Sequence, residues 1–267
     1  MKSAVKRIKG ILLALMYVAL YYAVSTGVYW AYFLWNLAGG NASVSEIQKN
    51  ASDGSFALAV IAAIICLWIY MVIGKFRHKP LSEQVKNENV PQMVYIMSAC
   101  LAIGCRFLVS AYYSLSQNIP VLMKSIEKAE EISPGINTAG HMLIALFSVV
   151  IAAPLFEELL FRVLVMGELM KIMRPWAAIA LQAIIFGIAH GVLFQSLFAI
   201  LVGVILGVVY YKTKNMKAAV ICHLVFNLSS ILMQENMSAL TSAIYVTAGI
   251  LLSVFALYYV IDGSKKR

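Results

Sequence analysis

The stretch APLFEELLFRVLV, residues 153–165, places Glu157, Glu158 and Arg162 in a run otherwise made of Ala, Pro, Leu, Phe and Val. Residues 142–151 ahead of it, MLIALFSVVI, carry no charge. Together they are long enough to cross a bilayer, which takes about 20 apolar residues for roughly 30 Å of hydrocarbon. A charged side chain at the centre of such a helix costs about 2.5–3.5 kcal/mol. Spacing relieves part of that cost. Glu158 and Arg162 stand four residues apart with the acid on the N-terminal side, the better orientation for pairing. Glu157, about 100° further round the helix, is left without a partner on its own helix.

The whole chain supports a membrane reading. Of its 267 residues, 62% are hydrophobic and 12% charged, with a mean hydropathy of +0.84. A soluble domain is about half apolar and about a quarter charged. Eight apolar runs can be marked, at about 11–38, 56–74, 93–115, 139–165, 176–191, 193–211, 217–233 and 241–261. Those at 176–191 and 217–233 are short for a crossing. The pieces between them, the longest being 39–55, 75–92 and 116–138, are too small to fold alone. The expected architecture is all-α: a polytopic membrane helix bundle of about eight transmembrane helices, forming one integral-membrane domain over 1–267. The opening MKSAVKRIKG has the look of a signal-peptide n-region. The apolar run after it far exceeds a 7–15-residue h-region, so it reads as a retained helix.

Charge placement orients the bundle. Lys2, Lys6, Arg7 and Lys9, then Lys75, Arg77, Lys79 and Lys86, then Lys171 and Arg174, then Lys212, Lys214 and Lys217, then Lys265, Lys266 and Arg267 all fall on one side. Only Lys49, Lys124 and Lys128 fall on the other. By the positive-inside rule both termini are cytoplasmic. The net charge of +9 then reflects topology and attraction to anionic lipids. No clustered basic fold of the kind that binds nucleic acid is evident, so no nucleic-acid partner is expected. Cys66, Cys100, Cys105 and Cys222 lie in the apolar runs without metal or CxxC spacing, and read as small apolar residues.

Two more spans carry polar residues at helical spacing. IIFGIAHG (184–191) sets Phe186 and His190 four apart; AVICHLVFN (219–227) does the same for His223 and Asn227. Ionisable groups inside a membrane are functional candidates by default. A carboxylate beside an imidazole can take a proton from water, and an imidazole with a carboxamide can donate to an oxyanion. That is equipment for hydrolysis of a peptide bond without a Ser or Cys nucleophile. The same groups could bind Zn²⁺ through Glu157, His190 and His223, with water as the fourth ligand. No H-E-x-x-H motif is present.

Glu157-Glu158-x-x-x-Arg162, Phe186-x-x-x-His190 and His223-x-x-x-Asn227, in that order, resemble the CPBP intramembrane proteases, the family of CAAX prenyl endopeptidases and of Abi proteins linked to bacteriocin processing and immunity. A Gly-rich block, Gly203-x-x-x-Gly207-x-x-Tyr210-Tyr211-x-Thr213, adds to the likeness, which covers roughly 145–230 within a catalytic core of about 139–233. The resemblance implies that Glu157 and His190 activate water, that His223 and Asn227 stabilise the oxyanion, and that Glu158 and Arg162 order the site. It implies a membrane-bound peptide or lipidated protein as substrate. The alternative within the family is a bacteriocin immunity protein with little or no proteolysis. An obligatory metal is not expected, though Zn²⁺ is possible. The short loops favour a bacterial plasma membrane.

Other features read more plainly. Gly203 and Gly207 have the small-xxx-small spacing of closely packed helices, and Phe186 reads as packing. Arg106, mid-span, must find a partner or support the site. Counted from Trp176 at 1.5 Å per residue, His190 lies roughly 21 Å deep. Residues 168–182 are therefore expected to lie partly along the interface, with the site opening to the cytoplasmic side.

Overall fold

Lipid offers backbone N–H and C=O groups no hydrogen-bond partners, so a chain this apolar must satisfy them within helices. A computed structural model describes residues 2–40, 43–132, 139–233 and 238–264, and its architecture is an all-α membrane helix bundle. The helices are α1 (Lys2–Ala38), α2 (Val44–Asp53), α3 (Ser55–Phe76), α4 (Leu81–Gln84), α5 (Gln92–Ser116) and α6 (Pro120–Ile132). They continue as α7 (139–169), α8 (Pro175–Ala189), α9 (Leu193–Thr213), α10 (Met216–Leu232) and α11 (Ala239–Gly263). Among the described residues the only extended pairing is a single antiparallel bridge between Asn87 and Asn215. The basic Lys265, Lys266 and Arg267 lie outside the described residues.

Among the described residues, six helices are long and apolar enough to cross a membrane; α8 and α10 are the two shorter apolar ones. These are the two runs that looked short in the sequence. Large apolar side chains such as Leu143, Leu251 and Phe255 are exposed on the outer surface, as a lipid-facing shell requires. Helix boundaries follow local chemistry. Ser43 and Glu46 form a capping box at the start of α2, and Pro175 opens α8, where its missing N–H costs nothing. Asn215 caps α10 by accepting from the Ala218 amide at 3.0 Å.

Helix α7 occupies the centre. Every residue from Glu158 to Met166 is buried. Its winding is not uniform: Phe147–Ala152 and Glu158–Val165 are π-helical, with α-helical turns before, between and after them. Such wide turns are rare and concentrate at functional sites. Around it, α5 packs chiefly against α10 and α11, and α8 against α9. The α8–α9 contact is close because of two glycines. A Cβ on Gly203 would sit 3.1 Å from the Ala183 Cα, and one on Gly207 would sit 2.9 Å from Gln182 Nε2. The small-residue spacing thus has the packing role read from the sequence.

Candidate active site

Adjacent residues of α7 face different surroundings. Glu158 is fully buried, whereas the Glu157 side chain keeps 28% of its exposure. The Glu158–Arg162 pair forms as the spacing predicts, with Arg162 Nε donating to Glu158 Oε2 at 3.0 Å and both side chains fully buried. A second guanidinium nitrogen reaches Glu158 Oε1 at 3.3 Å.

The pair has partners that the sequence did not reveal. His223 Nδ1 lies 2.9 Å from Glu158 Oε1. A carboxylate only accepts, so this ring nitrogen carries the proton and Nε2 is the free one. Arg162 also donates to Gln182 Oε1 and stands 4.9 Å over the Phe186 ring. Gln182 is fully buried and donates in turn to the carbonyls of Ile179 at 3.0 Å and Gly203 at 2.9 Å. Gln182 is the residue that sequence reading missed. Its signal was available, because 182, 186 and 190 follow one another four apart on one face of α8.

On the other side of His223, Nε2 is 3.8 Å from Glu157 Oε2. That is too long for a direct hydrogen bond and short enough for a water to bridge. A cavity of about 490 Å³ opens here, walled by Glu157, His190, His223 and Asn227 together with Phe186 and Arg106. His190 caps α8 and its Nδ1 meets the Phe186 carbonyl at 2.9 Å, so Nδ1 is the protonated nitrogen and Nε2 is left available. The end of α8 is held in turn by Tyr22, whose hydroxyl donates to the Ala189 carbonyl at 2.6 Å. Asn227 Nδ2 donates to the Val149 carbonyl at 2.8 Å, inside the first π-helical segment of α7. One amide hydrogen and the amide oxygen remain for other partners.

Glu158 lies behind His223, bridging it to Arg162, and is not among the residues that wall the cavity. The cavity wall includes Ile126 and Ala129 of α6, Tyr113 near the end of α5, Phe194 and Gln195 at the start of α9, and Ser230 near the end of α10. All lie toward the end of the bundle that carries α6, opposite the basic residues at 75–86, 171–174 and 212–217. The sequence depth count for His190 pointed the same way. Arg106, only 1% exposed, stands in the cavity wall.

Glu157, His190 and His223 share this cavity without closing into a ligand set. Among the described residues no group of three or more His, Cys, Asp or Glu side chains is placed to hold a metal ion. One nitrogen of each histidine is bonded to a carboxylate or carbonyl, which fixes the direction in which the other nitrogen points.

The fold and site define an all-α, multi-pass membrane protein in which a buried Glu158–Arg162 pair backs a cavity walled by Glu157, His190, His223 and Asn227. Residues 139–229 match the family model described as type II CAAX prenyl endopeptidase, Rce1-like, as a CPBP family intramembrane protease would. That match spans Glu157, Glu158, Arg162, Gln182, His190, His223 and Asn227, and agrees with the resemblance carried by the motifs. No curated protein and no solved structure matches the chain.

Proposed function

We propose that the chain is an intramembrane endopeptidase that cleaves a membrane-associated peptide or protein with a water activated by Glu157. The observation that supports this most directly is the 3.8 Å gap between the Glu157 carboxylate and His223 Nε2 in the wall of a 490 Å³ cavity. A water bridging the two gives up a proton to Glu157 as its oxygen attacks the scissile carbonyl carbon. The developing oxyanion is met by the remaining amide hydrogen of Asn227. As the C–N bond breaks, the proton held by Glu157 passes to the leaving amine. His190, with Nδ1 fixed by a carbonyl, presents Nε2 to the cavity as a further acceptor. Glu158 and Arg162 hold His223 in the tautomer and orientation this needs, as a carboxylate does for histidine in other hydrolytic sites.

If the basic end is cytoplasmic, the cavity lies toward the opposite leaflet, and a substrate reaches it from that side. The test is to compare membrane peptides from cells carrying the wild type and Glu157→Gln. Accumulation of an uncleaved membrane peptide in the variant is the expected result. An identical peptide population, with both proteins expressed equally, would remove the proteolytic reading.

A further inference from the structure

A second cavity, of about 290 Å³, lies at the basic end of the bundle, away from the site above. Its wall brings together Lys86, Lys171 and Lys214, with Tyr210, Gly167 and the inner face of Arg162. Glu83 also lines it, and Lys171 is engaged by Glu168 at 2.8 Å. Lys86 and Lys214 come from segments more than a hundred residues apart, and the backbone is built to hold them side by side. The Met216 amide donates to the Lys86 carbonyl at 2.8 Å, and the Glu88 amide to the Lys214 carbonyl at 3.0 Å. These bonds flank the Asn87–Asn215 bridge. Asn215 Nδ2 adds bonds to the Glu88 carbonyl at 2.7 Å and to the Tyr95 hydroxyl at 3.0 Å.

Lys214 itself sits at φ 51°, ψ 34°, the left-handed position that ends α9. Glycine is the usual residue there, because any side chain strains the backbone. A strained non-glycine residue is a pointer to function. Burial and the neighbouring charges of Lys86 and Lys212 both depress the Lys214 pKa, as gathered like charges do. Depth is marked by aromatic residues. Trp176 and Tyr211 stand 6.1 Å apart at this end, and Lys214 lies 4.1 Å over the Tyr211 ring. Aromatic belts of this kind mark the head-group level of a membrane.

We infer that this cavity binds a phosphate group, supplied by the head group of an anionic phospholipid, between Lys86 and Lys214. Basic pockets between membrane helices are suited to such head groups. The inference is independent of the peptidase reading, since it uses no group of the α6-end cavity.

Purified full-length protein, stripped of lipid in a neutral detergent, is tested by native mass spectrometry with added phosphatidylglycerol, phosphatidylcholine or inorganic phosphate. Phosphatidylglycerol should be retained in preference to phosphatidylcholine. Two variants carry the test. Lys86→Ala combined with Lys214→Gly removes both charges while relieving the left-handed backbone, so the fold is retained. Gly167→Phe fills the cavity, and a Cβ at Gly167 meets nothing within 4 Å. Each should weaken phosphatidylglycerol retention about tenfold. Displacement of the lipid by inorganic phosphate would assign recognition to the phosphate alone; failure of phosphate to displace it would assign recognition to the whole lipid. Retention equal in wild type and both variants would overturn the inference.

Discussion

Glu157 and Glu158 are neighbours in sequence, yet removal of either negative charge should give opposite signatures. In Glu158→Gln the fully buried guanidinium of Arg162 loses its counter-charge. It keeps only the Gln182 carbonyl oxygen and the Phe186 ring face. The new amide N–H groups point toward Arg162 and His223, which are themselves donors. Breaking a buried ion pair in this way costs about 3–5 kcal/mol. Glu157→Gln removes a partly exposed carboxylate whose Oε2 lies 3.8 Å from His223 Nε2. Its stability should stay within about 1 kcal/mol of wild type, while cleavage falls about 10²–10⁴-fold with the loss of a general base. Unfolding in mixed micelles of increasing denaturing-detergent fraction measures the first quantity, and cleavage of a fluorogenic membrane peptide the second. Glu158→Gln paired with Arg162→Met extends the comparison. Since the double variant buries no unpaired charge, its loss should be smaller than the sum of the single losses by about 0.5–3 kcal/mol. The reasoning fails if Glu158→Gln is as stable as wild type, or if Glu157→Gln loses as much stability as Glu158→Gln.

Gln182→Leu leaves an Arg162 N–H and the Gly203 carbonyl without their partner. It should cost about 1–3 kcal/mol, read as a lower melting temperature, with Gln182→Glu measured beside it to separate charge from hydrogen bonding. Gly203→Val drives a branched side chain into Ala183 and Phe186, 3.1 Å from the Cβ position, at a cost of about 1–3 kcal/mol. Thermal melts in detergent with parallel peptide cleavage would detect it, and an unchanged melt would contradict the close α8–α9 approach. Treatment with 1,10-phenanthroline should leave peptide cleavage unchanged. Loss of cleavage restored by Zn²⁺ alone would replace the water-and-glutamate mechanism with a metal-dependent one.

Much of this was legible in the sequence because it depends on local spacing. Apolar run lengths located the spans and singled out α8 and α10 as short. The four-residue offset predicted the Glu158–Arg162 contact, and small-residue spacing predicted the approach of α9 to α8. What stayed hidden depends on how separate helices are rotated against one another. Glu158 and His223 are 65 residues apart, and nothing in either segment alone says that the Glu158 carboxylate faces the ring from behind. Gln182 looked like a lone polar residue in an apolar helix until Arg162 was placed beside it. The depth count for His190 conflicted with a site at the basic end, and the sequence reading assigned that conflict to an interfacial stretch over 168–182. In the structure, α8 runs unbroken from Pro175 and carries His190 to the far end of the bundle.

The wide winding of Glu158–Val165 also bears on how such a site tolerates change in chain length. A π-helical turn holds one residue more than an α-helical turn would. Deleting a single apolar residue there, such as Leu160, lets the backbone tighten without breaking its hydrogen-bond ladder. The faces on either side of the wide turn, Glu157 among them, then stay near their places, whereas the same deletion in a regular α-helical stretch swings everything beyond it by about 100°. Substitutions test what these side chains are, whereas one-residue deletions inside and outside the wide turn test where the helix aims them.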